Sequence, residues 1–335
     1  MSERHENPAS VSGTDQAQRP TRQLTGDGSD RAGGRRSVAG ERDSGLAAGH
    51  PPASVARALC DGEHADPFAL LGAHRCSDGW CVRALGLDAD ELALELEDAS
   101  RVPMQRVDAT SLFVASGLEQ RPARYRLWSR NQGGTWCHED PYRFSSPLGP
   151  LDLHLMAEGT HLELYERFGA RLLRHEGVEG VHFCVWAPNA RRVSVVGPFN
   201  GWDGRRHVMR QHPGAGVWDL FVPGLHAGEL YKFEILAANG RLLPLKADPF
   251  ARRMEPPPGN ACIVEQDEHV WGDAAWMAQR PAQSGRDRPV AIYEVHVGSW
   301  RRHQPDGRPY SYDELAESLI PYVLKMGFTH IELLP

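Results

Sequence analysis

Val290-Ala-Ile-Tyr-Glu-Val-His-Val297 and Phe328-Thr-His-Ile-Glu-Leu-Leu334 are short apolar runs, the first rich in β-branched residues and closed by Gly298. Each predicts a strand. Between them, Ser311-Tyr-Asp-Glu314 has capping-box spacing, in which the Ser311 hydroxyl accepts from the Glu314 amide and the Glu314 carboxylate reaches back to the Ser311 amide. A helix should start there. Its apolar positions Leu315, Leu319, Tyr322, Val323 and Met326 fall on one face, Pro321 should kink it, and Gly327 suits the left-handed residue that ends it. Two strands joined by one amphipathic helix run parallel with a right-handed crossover. Residues 290–335 therefore read as one βαβ unit, whose strands need neighbours and a second layer of helices to bury both faces.

The whole chain has 335 residues, a net charge of −7 and a pI near 6.1. That balance offers no basic excess to track phosphates, which argues against nucleic acid and anionic membranes as partners. No apolar stretch approaches the ~20 residues of a membrane-spanning helix, and the N-terminus has no apolar signal core, so a cytoplasmic protein is expected. The six cysteines, Cys60, Cys76, Cys81, Cys137, Cys184 and Cys262, make no CxxC pair and read as reduced thiols, most of them buried. Cys76 and Cys81 with His74 match no standard zinc spacing, so no metal site is assigned.

Working back from the βαβ unit, residues 266–289 read as a linker. Residues 177–265 carry short strands at Val181–Ala187, Val193–Val196, Val217–Val222 and Leu230–Leu236, with an Asn239-Gly240 hairpin turn, and predict a β-sandwich. Residues 151–176 read as a connector with Leu162, Tyr165 and Phe168 at helical spacing. Residues 53–150 open with short helical turns and continue as short strands at Cys81–Leu87, Leu92–Leu96, Leu112–Val114 and Tyr125–Trp128, a second sandwich. Residues 1–52, poor in aliphatics, without aromatics and balanced in charge, read as a disordered tail.

The sandwiches share a pattern. Tyr125, a Gly133-Gly134 turn and Asp140-Pro-Tyr142 are matched by Tyr231, the Asn239-Gly240 turn and Asp248-Pro-Phe250, which suggests one fold used twice.

The sharpest chemical cluster is Gly197-Pro-Phe-Asn-Gly-Trp-Asp203. Phe199 and Trp202 flank an Asn-Gly turn and either stack a sugar ring, with Asn200 bonding its hydroxyls, or plug the end of the sandwich core. Trp186 reads as core, and Trp218 and Lys232 as further candidates for a sugar surface. In the βαβ unit, Tyr293, Glu294, His296, His330 and Glu332 are polar groups in apolar strands, either functional or hydrogen-bonded in place. No complete catalytic set, P-loop or dinucleotide fingerprint is present, and no cofactor is implied.

Taken together, His182-Phe-Cys-Val-Trp-Ala-Pro-Asn189, Phe199-Asn-Gly-Trp-Asp203, Leu245-Lys-Ala-Asp-Pro-Phe250, Ile292-Tyr-Glu-Val-His-Val-Gly-Ser-Trp300 and Phe328-Thr-His-Ile-Glu-Leu-Leu-Pro335 resemble bacterial glycogen branching enzymes of the α-amylase superfamily. Asp140-Pro-Tyr-Arg-Phe144, Gly159-Thr-His161 and Leu164-Tyr-Glu-Arg167 resemble the branch with an extra N-terminal sandwich. The resemblance implies a mainly β chain of two Ig-like sandwiches, the second similar to a family 48 carbohydrate-binding module, and the first βαβ unit of a truncated (β/α)8 barrel. It also implies a monomeric 1,4-α-glucan branching enzyme acting on glycogen and maltooligosaccharides. Such enzymes cut an α-1,4 linkage and rejoin the segment through α-1,6 by a retaining mechanism. The nucleophilic aspartate and the acid/base glutamate are expected beyond Pro335, so the chain alone is expected to be inactive. Tyr293 is expected at the donor-sugar subsite. Pro198 departs from the acidic residue common before Phe-Asn. A debranching or trehalose-releasing hydrolase and a non-catalytic α-glucan-binding protein are the alternatives.

Overall fold

The computed structural model describes residues 49–266 and 269–334, so the expected tail lies, up to residue 48, outside the described residues. The chain divides into two compact units, with the main break between Arg143 and Phe144.

The first unit opens with helix α1 (Ala53–Cys60), which buries Ala56 and Leu59. Its strands are β1 (Gly72–Cys76), β2 (Gly79–Leu85), β3 (Glu91–Leu96), β4 (Arg101–Pro103), β5 (Gln105–Arg106), β6 (Leu112–Leu118), β7 (Tyr125–Asn131) and β8 (Gly134–Glu139). They form two four-stranded antiparallel sheets, ordered β1-β2-β6-β5 and β4-β3-β7-β8. Alternation along β3 and β7 sends Leu92, Leu94, Tyr125 and Leu127 into a core with Val82, Ala84 and Phe113. Cys76 and Cys81 are joined as a disulfide across the β1–β2 hairpin, with Cα atoms 6.0 Å apart, which corrects the reading of six free thiols. Their five-residue separation fits no CxxC rule, yet an antiparallel hairpin brings the two backbones within disulfide reach.

In the second unit, α2 (Pro150–Glu158) is followed by β9 (Gly169–His175), β10 (Val178–Trp186), β11 (Ala190–Val196), β12 (Arg210–His212), β13 (Val217–Pro223), β14 (Leu230–Ala237), β15 (Arg253–Met254) and β16 (Cys262–Ile263). The sheets are ordered β12-β13-β10-β9 and β11-β14-β16-β15. The first of these repeats the β1-β2-β6-β5 order in its sequence of hairpins.

The shared pattern has a physical content. The Tyr125 hydroxyl donates to Asp140 Oδ2 at 2.7 Å while Asp140 Oδ1 accepts from the Tyr142 amide at 3.0 Å. In the second sandwich Tyr231 donates to Asp248 Oδ2 at 2.8 Å, and Asp248 Oδ1 accepts from the Phe250 amide at 2.8 Å. The same buried tie thus pins the exit of both sandwiches. Burial pushes the Asp140 carboxyl up to about 6 and raises Asp248, because a charged carboxylate loses its solvent there.

Parity explains two tryptophans. Val181, Phe183 and Val185 of β10 face the core, so Trp186 falls on the other face, where, unlike His182 and Cys184, it is left 63% exposed, against the sequence expectation. Trp218 pairs with Val185, shares its face and is fully buried, with its indole N–H on the Ala187 carbonyl at 3.0 Å. It cannot offer a sugar surface.

The connector also differs from expectation. Its helix is α2, begun by Pro150, with Asp152 Oδ2 accepting from the Gly149 amide at 3.0 Å, and ended by Gly159 at φ 72. Leu162 and Tyr165 are exposed, and the stretch from Gly169 is a strand that pairs with β10. The connector covers the outer face of β10 and β13: Leu148 and Phe168 cluster with Cys184 and Val217. Beneath it, Asp219 accepts from Ser146 Oγ at 2.6 Å and contacts His182 Nε2 at 3.0 Å and His212 Nε2 at 2.7 Å. Burial opposes the Asp219 charge, but the bonds from His182, His212 and Ser146 outweigh it and hold the carboxyl well below the usual range.

Helix α3 (Ala274–Gln283) lies in the predicted linker. The βαβ unit follows as β17 (Ile292–His296), a helical turn α4 (Val297–Trp300), α5 (Tyr312–Met326) and β18 (His330–Leu334). The two strands are parallel, from Ile292↔His330 to His296↔Leu334. The Ser311–Glu314 capping box is present, and Gly327 ends α5 at φ 83. Leu315, Leu319 and Val323 are buried with Val295, while Met326 is exposed rather than on the packed face.

Candidate functional site

The site grows from the end of β11. Gly197 is extended, and a Cβ there would lie 2.2 Å from the Leu230 carbonyl oxygen and 2.5 Å from the Phe199 ring. Only glycine permits that approach. Asn200 then locks the turn: its Oδ1 accepts from the Gly197 amide at 3.0 Å, and its Nδ2 donates to the Val195 carbonyl at 2.9 Å and lies 2.8 Å from His207 Nδ1.

The next two residues are both left-handed, Gly201 at φ 65 and Trp202 at φ 60. Glycine adopts this freely, whereas an L side chain there costs roughly 1–2 kcal/mol. Trp202 is held by its amide on the Gly197 carbonyl at 2.9 Å and leaves 37% of its surface in solvent. The turn thus holds a bulky ring in left-handed backbone with part of its face open.

The other end of the turn is anchored to the sheet. Arg192, itself buried, donates from Nη1 to the Gly204 carbonyl at 2.8 Å and from Nη2 to Glu234 Oε1 at 2.6 Å. Asp203 is occupied by Arg205 and Arg206, and the Arg205 hydrogen bond holds its carboxyl below the ordinary value.

The sequence candidates therefore separate. Phe199 is half-buried, stacked on the core ring of Phe183 at 6.4 Å and edge-on to His207 at 5.6 Å, so it plugs the sandwich end. Asn200 is buried, with its Oδ1 and Nδ2 bonded inside the turn. Of the three, Trp202 keeps the most open face.

Lys232 stands beside this turn. Strand β14 lies between β11 and β16, and Lys232 pairs with Val196, the residue before Gly197. On its other side the Lys232 ammonium donates to Asn260 Oδ1. Asn260 was not legible in the sequence: it stands 28 residues from Lys232, a separation that no local motif spans. An ammonium and a carboxamide can donate to pyranose hydroxyls, and an open indole face can stack on the apolar face of such a ring.

In the βαβ unit, Tyr293 lies on the α5 side of β17. Its ring is edge-on to Phe328 at 5.0 Å and Tyr322 at 5.8 Å, and its hydroxyl accepts from Trp300 Nε1 at 3.1 Å. The ring is half-buried between strand and helix. Glu294, His296, His330 and Glu332 lie on the opposite, solvent-exposed side, with Glu294 paired to Glu332. His296 Nδ1 meets Ser299 Oγ at 2.7 Å and His330 Nδ1 meets Thr329 Oγ1 at 2.8 Å.

Residues 52–142 match the family described as alpha-1,4-glucan branching enzyme GlgB, N-terminal domain, and residues 167–251 match Carbohydrate-binding module 48 (Isoamylase N-terminal domain). The chain is 50% identical over 285 residues to the 1,4-alpha-glucan branching enzyme GlgB of Paramagnetospirillum magneticum, covering 84% of this chain and 38% of that protein. It is 52% identical over 280 residues to that of Pseudomonas aeruginosa, covering 82% and 38%. The chain thus spans well under half the length of these relatives. Among solved structures, a pullulanase complexed with maltotriose from Anoxybacillus sp. LM18-11 covers 79% of this chain and 38% of that one at 15% identity, with a TM-score of 0.34, too low to carry an argument.

Proposed function

We propose that the whole protein is a GlgB-type 1,4-α-glucan branching enzyme whose second sandwich holds α-glucan at Trp202; the match of residues 52–142 to the GlgB N-terminal domain and the identity of about half to such enzymes support this reading. The whole enzyme cuts an α-1,4 linkage and rejoins the segment through α-1,6 by retaining transglycosylation, with an aspartate nucleophile and a glutamate acid/base on barrel strands after β18. No residue of 1–335 is given a catalytic role. These residues contribute binding: a weak hold on a polymer keeps its many chain ends at high local concentration near the chemistry.

The observation that carries the glucan reading is the Trp202 ring, kept partly in solvent by a strained turn that buried groups on both sides hold in place. We place the protein in the cytoplasm as a monomer without nucleic-acid or membrane partners. The net charge of −7 supports the part of this reading that concerns nucleic acid and anionic membranes. Affinity electrophoresis of the 335-residue chain tests the reading: migration slowed by glycogen or amylose in the gel, and unchanged by dextran, is expected. Equal mobility in all gels would overturn it.

A further inference from the structure

We propose that Glu255 is a positioning residue for this glucan site, resting on the reading of Trp202 as its stacking platform: its carboxylate shapes the loop from Pro256 to Gly259 so that Asn260 meets Lys232. The loop leaves β15 and returns into β16, the strand beside β14. Glu255 Oε2 accepts from two successive amides on the returning side, Asn260 at 3.1 Å and Ala261 at 2.8 Å. Its own amide donates to the Ala261 carbonyl at 2.9 Å, so one residue stitches both limbs together.

The fit is close. A Cβ on Gly259 would lie 2.7 Å from Glu255 Cβ and 2.9 Å from Glu255 Cδ, so the loop folds over the carboxylate with no room for a side chain at Gly259. Three consecutive prolines, Pro256 to Pro258, restrict the rest of the loop and supply no amide donors of their own. The backbone of Asn260 is thereby fixed where its Oδ1 receives the Lys232 ammonium. Its Nδ2 donors have no partner among the described residues, and Lys232 lies one strand-pair from the start of the Trp202 turn. Without the Glu255 acceptor, the Asn260 and Ala261 amides would turn to water and the carboxamide would lose its fixed position.

Both amides bond to the same oxygen, and this makes the idea separable from a charge effect. A glutamine at 255 keeps one carbonyl oxygen able to accept both; an alanine keeps none. Maltoheptaose binding to the 335-residue chain is measured by calorimetric or fluorescence titration, with a thermal melt of each variant. Glu255→Ala should weaken binding roughly three- to tenfold with an unchanged melt, Glu255→Gln should bind within about twofold of the parent, and Lys232→Ala should weaken binding as Glu255→Ala does. Parent-level affinity in Glu255→Ala, with Trp202→Ala impaired, would overturn this proposal and leave the Trp202 reading standing. Parent-level affinity in Trp202→Ala would overturn the reading beneath it. Equal losses in Glu255→Gln and Glu255→Ala would assign the effect to charge, and a lowered melt in step with lost binding would make Glu255 a stability residue. Either result contradicts the proposal.

Discussion

Asp140 gives the sharpest prediction on stability. Its carboxyl is 1% exposed, tied to Tyr125 and the Tyr142 amide, and burial lifts it to about 6 from an ordinary value near 3.8. Between those values the folded chain keeps a proton that the unfolded chain has released. Stability from this group is therefore full below the unfolded value, falls as pH rises through about 6, and is flat above it. The gap of about two pH units corresponds to ~3 kcal/mol in all, of which ~1.3 kcal/mol separates pH 5 from pH 7. Urea unfolding of the 335-residue chain at several pH values, followed by hydrogen exchange of β7 and β8 amides, reads the first unit. Asp140→Asn removes the titration, so the parent-minus-mutant difference should shift by about 1.3 kcal/mol in favour of the parent on going from pH 7 to pH 5. A difference that is independent of pH, or that moves the other way, would refute the argument that burial governs this carboxyl.

The remaining predictions follow from the same geometry. Asp248→Asn, at the twin tie, should show a pH-dependent difference of the same sign in β14 exchange, because Asp248 is also raised by burial; a flat difference would separate the two ties. Gly197→Ala should destabilise the second unit by roughly 1–3 kcal/mol, since its Cβ would meet the Leu230 carbonyl and the Phe199 ring; an unchanged melt would show that the turn can yield. The 335-residue chain should leave the iodine–amylose absorbance maximum unshifted with time, because the retaining mechanism needs carboxylates that none of its residues is assigned to supply; a shift to shorter wavelength would place active carboxylates within it.

What the sequence disclosed follows from the range of the interactions involved. The α5 capping box, the Gly327 stop and the parallel pairing of β17 with β18 depend on neighbours a few residues apart or on connection length alone, and they were legible. The tyrosine–aspartate ties were visible as a repeated spacing, though their hydrogen bonds were not. Trp186 follows Phe183 and Val185, which face inward, so strand parity turns it to the other face, and its exposure there depends on cover that no local pattern encodes. Strands β15 and β16, two residues each, carry no periodic signal, and with them Asn260 and the Glu255 loop stayed hidden. The turn at Gly197–Asp203 was recognised as the chemical cluster, but the division of labour within it depends on φ angles and on where the Asn200 amide spends its bonds. Composition carries neither. The Cys76–Cys81 pairing was missed because it depends on hairpin register rather than on a cysteine motif.

The central claim is that Trp202 is kept in strained backbone for the sake of its exposed ring, and Trp202→Gly tests it most directly. Glycine adopts φ 60 without strain, so relief of roughly 1–2 kcal/mol offsets the packing lost with the ring. The ring itself contributes about 1–1.5 kcal/mol to stacking, or roughly five- to tenfold in affinity. Retardation in glycogen gels and the thermal melt are measured together on parent and variant. The expected result is retardation that is lost or reduced at least fivefold while the melt stays within ~1 kcal/mol of the parent. A melt that collapses together with binding would make Trp202 a member of the core, and retardation equal to the parent's would place the glucan elsewhere; either contradicts the claim.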